Sequence, residues 1–256
     1  MNIFQAFILG VLQGITEFLP ISSSGHLILL PNFLGWEVQS LAFDAVLHMG
    51  TATALIAYFW RDILEVFKSK KYMILIGVAS IPAMVIGVLL EGVIESYLRS
   101  PQYVAVFLLV GSALIFTAEK TYKKVWHEER LDDAGGLQYG KGFLIGLFQS
   151  LALLPGISRS GATISGGIFS GMSREASARF SFILSIPIVI GAGAFKVVSS
   201  YQDLGLDLVL LAGFIGSLIT GVICINWFLK FLKNNTLMPF VVYRLLLAAL
   251  IVLVLL

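Results

Sequence analysis

Charge is scarce in this sequence. Asp, Glu, Lys and Arg make up 12% of the 256 residues, against 58% for the apolar types, and the mean hydropathy of +0.93 exceeds what a soluble domain of this length needs for its core. A soluble globular fold is excluded. Net charge is only +2, and the basic residues fall between apolar runs without forming a stripe, which excludes a nucleic-acid partner. The single cysteine, Cys224, excludes a disulfide framework. Met1-Asn2-Ile3-Phe4 lacks a positive n-region and a small-residue cleavage site, so the first apolar stretch is expected to stay in the mature chain. Dyad alternation is also missing, which argues against a barrel.

What remains is a series of apolar runs of roughly 17–25 residues, the length a bilayer demands of a spanning helix. The fold class expected is all-α, a polytopic membrane protein. Full spans are expected at 41–60, 73–90, 103–119, 181–199, 208–229 and 240–256. Two further apolar segments, 3–36 and 142–172, are each interrupted, by Pro20 to Gly25 and by Pro155 to Gly161. Neither half is long enough to span, so each segment reads as a re-entrant helical pair whose freed backbone faces protein or a polar cavity. Loops 61–71, 120–141, 174–179 and 230–233 hold 13 of the 17 Lys and Arg residues. The positive-inside rule makes those loops cytoplasmic and both termini external.

The two interrupted segments are related. Gly10-Val-Leu-Gln13 returns as Gly146-Leu-Phe-Gln149, and Ile21-Ser22-Ser23-Ser24-Gly25 returns as Ile157-Ser158-Arg159-Ser160-Gly161, always 136 residues later. Each copy is followed by three spans, an odd number, so repeats 1–119 and 142–256 should be inverted relative to one another.

Ionisable groups within apolar segments mark function more often than packing. Gln13 and Glu17 are spaced to share one helix face, with Gly10 a turn earlier. Ser22, Ser23, Ser24, Gly25 and His26 follow the first break; Ser158, Arg159, Ser160, Gly161 and Thr163 follow the second, after Gln149. Each break presents a fresh helix N-terminus capped by Ser22 or Ser158, a ready anion site. Arg159 adds a planar fork suited to phosphate oxygens. A carboxylate beside a phosphate is repelled unless a cation intervenes, so Mg²⁺ or Ca²⁺ held by Glu17, and by Gln13 through its carbonyl, is expected. A bare Glu17–Arg159 ion pair locking the repeats is the structural alternative, and for His26 it is a hydrogen bond to a neighbouring carbonyl. Asp44 and His48, another i,i+4 pair, fit a supporting network and a site equally. Arg174 and Glu175 read as a solvated turn, His127 as a cytoplasmic loop residue and Cys224 as packing.

Gln13-Gly-Ile-Thr-Glu17-Phe-Leu-Pro20-Ile-Ser22-Ser23-Ser24-Gly25-His26, with Pro155-Gly-Ile-Ser158-Arg159-Ser160-Gly161-Ala-Thr163-Ile-Ser165, resembles the undecaprenyl-diphosphate phosphatases, the bacitracin-resistance membrane proteins. The likeness covers nearly the whole chain, with both motifs in the family's order and spacing. It implies six spans plus two re-entrant pairs in the bacterial plasma membrane, a site facing the outer side, and hydrolysis of undecaprenyl diphosphate to undecaprenyl phosphate and phosphate, which recycles the lipid carrier of peptidoglycan synthesis. The family's E/Q-x-x-x-E motif falls on Gln13 and Glu17, its serine and histidine on Ser23 and His26. Either of the latter can be the nucleophile. Type 2 phosphatidic acid phosphatases share Ser-Gly-His and Ser-Arg elements, but their upstream Lys-x6-Arg-Pro stretch is missing here. Because inverted repeats with facing broken helices also build secondary transporters, a polyprenyl-phosphate flippase is the competing function. Membrane lipids and a polyprenyl diphosphate are the expected partners, and the sequence leaves monomer and homodimer both open.

Overall fold

The computed structural model describes residues 1–124, 131–199 and 208–255. His127, read above as a cytoplasmic loop residue, and residues 200–207 lie outside them. Ten α-helices account for nearly all of it: α1 (Ile3–Thr16), α2 (Ser23–Leu34), α3 (Leu41–Lys68), α4 (Lys70–Tyr97), α5 (Pro101–Lys124), α6 (Tyr139–Leu151), α7 (Arg159–Phe169), α8 (Arg174–Ser199), α9 (Leu208–Asn234) and α10 (Met238–Leu255). Helices α3, α4, α5, α8, α9 and α10 are the six long and apolar enough to cross a membrane. Their bounds enclose the six expected spans to within a residue, running on by up to eight residues past the apolar core of each. Large apolar side chains point outward along them, Val88, Leu89, Leu246 and Leu253 among the most exposed, a surface that suits hydrocarbon and would aggregate in water.

The interrupted segments are helix–break–helix units, as the Pro, Gly and Ser content requires. Ser22 and Ser158 carry φ of 75° and 77°, and each side chain caps the helix that follows. These are the only non-glycine residues with positive φ among those described. Gly156, at φ 117°, allows no substitute, since a Cβ there would lie 2.7 Å from the Val104 carbonyl oxygen. Lengthwise, α1 packs on α9, and α6, its counterpart in the other copy, packs on α4. Both contacts rest on the glycine of the repeated Gly-x-x-Gln: a Cβ on Gly10 would lie 2.2 Å from the Gly213 oxygen, and one on Gly146 2.4 Å from the Ala79 oxygen. Backbones approach this closely only where a side chain is missing.

The feet of the two units lie at opposite ends of the long helices. The Met1 ammonium is 3.7 Å from Glu37, near the start of α3, whereas Lys141 donates to the Ser170 carbonyl (2.8 Å) and Lys71 to that of Gly135, at the other end. That second end gathers the basic loops. Arg174 makes a two-pronged contact with buried Glu119 (2.8 and 2.6 Å), whose Oε1 also accepts from the Leu237 amide at 3.0 Å, tying α5, α8 and α10 together. The expectation of a solvated turn therefore fails for Arg174, because its partner lies in an apolar segment far upstream. Glu175 reaches Lys233 at 3.8 Å.

Candidate active site

The tips of the two broken units meet deep in the bundle, beside Ser112 near the middle of α5. Arg244 of α10 holds them there. Fully buried, with 0% exposure, it donates to the Pro20 carbonyl of the first break (3.2 Å), the Gly156 carbonyl of the second (2.8 Å), the Leu108 carbonyl (3.1 Å) and Ser112 Oγ (3.1 Å). The tips also touch directly. The Gly156 amide donates to Ser22 Oγ (3.1 Å) and Ser160 Oγ to the Leu19 carbonyl (2.9 Å).

Between the tips sits Glu17. Ser23 and Arg159 are the first residues of α2 and α7 and occupy the same place in the 136-residue repeat. Both converge on this carboxylate: Ser23 Oγ donates to Oε2 (2.6 Å) and Arg159 Nη2 to Oε1 (2.6 Å). Gln13 Nε2 donates to Oε2 (3.0 Å), as their i,i+4 spacing predicted. Three donors thus share the two oxygens of one side chain, the charged guanidinium and the serine at the short distances of strong bonds. Arg159 Nη1 and Gln13 Oε1, by contrast, are buried without a hydrogen-bond partner, as are both amide atoms of Gln149. Buried polar atoms are rarely left unmatched unless a ligand, ion or water completes them.

The predicted residues that follow the two breaks lie at the tips or just beyond them, in distinct settings. Ser22 Oγ accepts from the Gly25 amide (3.3 Å) and lies 3.4 Å from Ser24 Oγ; Ser158 Oγ accepts from the Gly161 amide (3.2 Å) and lies 3.1 Å from Ser160 Oγ. Thr163 bonds the Arg159 carbonyl (2.7 Å) and Ser181 of α8. His26 faces away from Ser23: Nδ1 lies 2.7 Å from the Ser22 carbonyl and Nε2 2.6 Å from the Tyr243 hydroxyl. Asp44 and His48 part company. Asp44 pairs with Arg99 (2.9 Å) and Gln39 (3.0 Å), while His48 Nδ1 approaches Gln13 Nε2 (3.0 Å) and Glu17 Oε2 (3.5 Å). Sequence reasoning missed Arg244, although once the loops are counted it is one of three basic residues left within apolar segments, with Arg159 and Lys196. Nothing in the sequence signalled Tyr243.

Six long apolar helices around a buried carboxylate–guanidinium–hydroxyl centre define a polytopic membrane protein with a polar site enclosed among its helices. The chain belongs to the bacitracin resistance protein BacA family, whose model matches residues 6–250. An undecaprenyl-diphosphatase of Moorella thermoacetica is 41% identical over 98% of this chain and 97% of its own length. One of Geotalea daltonii is 41% identical over 95% of both chains, and one of Methanosphaera stadtmanae 39% identical over 95% of this chain and 94% of its own.

Proposed function

We propose that the protein hydrolyses undecaprenyl diphosphate to undecaprenyl phosphate and inorganic phosphate, recycling the carrier of cell-wall synthesis and thereby conferring bacitracin resistance. The convergence of Ser23 and Arg159, one from each helix start, on Glu17 carries the reading. The terminal phosphate enters between the tips, where Arg159 Nη1 is a buried donor still to be matched and the capped starts of α2 and α7 favour negative charge. Ser23 Oγ attacks phosphorus as its proton passes to Glu17 Oε2, and the bond to the bridging oxygen breaks to release undecaprenyl phosphate. Glu17 passes that proton to the departing oxygen, and water then attacks the phosphoserine, giving a proton to the regenerated carboxylate, which returns it to Ser23 Oγ as the ester bond breaks and phosphate leaves. Arg159 and the helix starts bear the charge that spreads over the phosphoryl oxygens, the main task in this chemistry.

The residues fit a divalent cation, Mg²⁺ or Ca²⁺. Glu17 offers a carboxylate and Gln13 an orphaned buried oxygen, a small set of the sort Mg²⁺ uses when substrate phosphates and water supply the rest. Bound there, the cation would offset repulsion between carboxylate and diphosphate. No group of three His, Cys, Asp or Glu side chains gathers among the described residues, so the site leans on the amide and the substrate.

We further propose that the helix–break–helix units are re-entrant pairs of two inverted repeats, 1–119 and 142–256. Their feet at opposite ends, their capped tips and the reciprocal packing of α1 on α9 and α6 on α4 support this. The basic end faces the cytoplasm of a plasma-membrane protein, and the site opens outward. Single cysteines at Lys70 and Lys233, in a Cys224→Ala background, should be shielded from an impermeant thiol reagent in intact cells while one at Arg99 is labelled. Equal labelling at the three would refute the orientation.

Phosphate release from undecaprenyl diphosphate by the purified protein in detergent tests the activity, since a flippase has nothing to do there. Arg159→Lys keeps the charge and loses the fork, so its rate should fall at least about tenfold, roughly 1.4 kcal/mol of transition-state stabilisation. Rapid quench with substrate labelled on the terminal phosphate should trap an acid-stable adduct, a phosphoserine, that disappears in Ser23→Ala. An acid-labile adduct lost in His26→Ala would transfer the attack to the imidazole.

A further inference from the structure

His48 has no place in the reading above, yet it reaches the same carboxylate oxygen as the reacting serine. Its Nδ1 lies 3.0 Å from the Gln13 amide and 3.5 Å from Glu17 Oε2, and the Gln13 amide is itself 3.0 Å from Oε2. In the observed orientation Gln13 turns Nε2 toward both neighbours and leaves Oε1 buried with no partner. A half-turn about the last side-chain bond exchanges the two atoms. With the His48 proton on Nε2, three acceptor atoms, the Gln13 oxygen, Glu17 Oε2 and His48 Nδ1, would then stand within 3.0–3.5 Å of one another. Without a cation that arrangement is repulsive. With one it is a binding face, because neighbouring ligands ~2.1 Å from an octahedral ion lie ~3.0 Å apart.

We propose that His48 is the third protein ligand of the cation site, completing with Glu17 and Gln13 one triangular face of an octahedron whose remaining positions belong to water and substrate phosphate. This rests on the reading of Glu17 and Gln13 as a cation site. It also changes the preferred metal. An imidazole nitrogen in place of an oxygen favours Mn²⁺ over Mg²⁺ and especially over Ca²⁺. His48 suits the part by position: it projects from α3, outside either broken unit, with its side chain 32% exposed, so an ion can reach it and shed water there. Glu17 Oε1 stays with Arg159, which leaves Oε2 to face the metal with one lone pair and the Ser23 hydroxyl with the other. The Arg159 charge balances that of Glu17, so the ion alone is held weakly and a diphosphate anion should strengthen its binding.

Mn²⁺ and methylenediphosphonate added to the tag-free protein in detergent provide the test, read by pulsed electron paramagnetic resonance. The parent should show nitrogen hyperfine coupling to bound Mn²⁺. His48→Ala should abolish the coupling and raise the Mn²⁺ dissociation constant at least about tenfold, the equivalent of 1.4 kcal/mol. His48→Gln, which keeps a polar side chain at the position and guards against misfolding of the alanine variant, should elute as the parent does, hold Mn²⁺ and lose only the nitrogen signal. Bound Mn²⁺ without nitrogen coupling in the parent, or coupling that survives in His48→Ala or His48→Gln, overturns the assignment of His48 and leaves the Glu17–Gln13 reading standing. A parent that binds no Mn²⁺ and releases phosphate undiminished in EDTA overturns the cation site as a whole, and with it this proposal, while the phosphatase reading survives.

Discussion

Glu17→Gln is expected to lower the rate of phosphate release by about a thousandfold or more, close to 4 kcal/mol of transition-state stabilisation. The amide matches the carboxylate in size, so the loss is chemical. Ser23 would face a group that cannot take its proton, and the cation would lose its only charged protein ligand. Arg159 would keep at most one neutral acceptor where a 2.6 Å ion pair stood. Breaking such a buried pair typically costs about 3–5 kcal/mol of stability, so the melting temperature should be measured beside the rate. A stable Glu17→Gln protein with near-parental turnover would reduce the Glu17–Arg159 contact to a structural lock.

Arg244→Met should disable the protein by a different route. Methionine fills much of the volume, but the carbonyls of Pro20, Gly156 and Leu108 and the Ser112 hydroxyl each lose a donor. The Leu108 carbonyl and the Ser112 hydroxyl keep their mutual bond (2.6 Å), but the Pro20 and Gly156 carbonyls are left unmatched at about 1–3 kcal/mol each, a large share of the stability of a typical fold. The expected outcome is a protein recovered at low yield, melting at least about 10 °C below the parent and inactive, although Arg244 touches none of Glu17, Ser23 or Arg159. Normal melting with lost turnover would instead assign Arg244 a direct part in the chemistry.

The helices were legible because a bilayer imposes length and composition on any segment that crosses it, and the breaks because Pro20, Pro155 and Gly156 cannot continue a helix. The centre was legible as far as local spacing reaches: Gln13 to Glu17 is one helical turn, and the caps lie three residues from the amides they bind. What escaped was set by distant parts of the chain. His26 turns to Tyr243, which follows it by 217 residues. Arg174 is drawn inward by Glu119, and Arg244 finds acceptors in three separate segments. His48 shares a helix face with Asp44 in the sequence pattern, yet tertiary packing sends the two side chains to different partners. A periodic pattern tells which face of a helix is polar and is silent on what that face meets.

The paired serines at the tips, Ser22 and Ser158, hold backbone angles that glycine would adopt freely and that cost other residues about 1–3 kcal/mol each. Glycine there would relax the chain, but it would remove the oxygen that gathers the Gly25 and Gly156 amides at one tip and the Gly161 amide at the other. Both tips are therefore under load in the resting protein. A loaded turn lies closer in energy to its alternatives than a relaxed one, so a bulky anion arriving between the tips has to supply less work to reshape them.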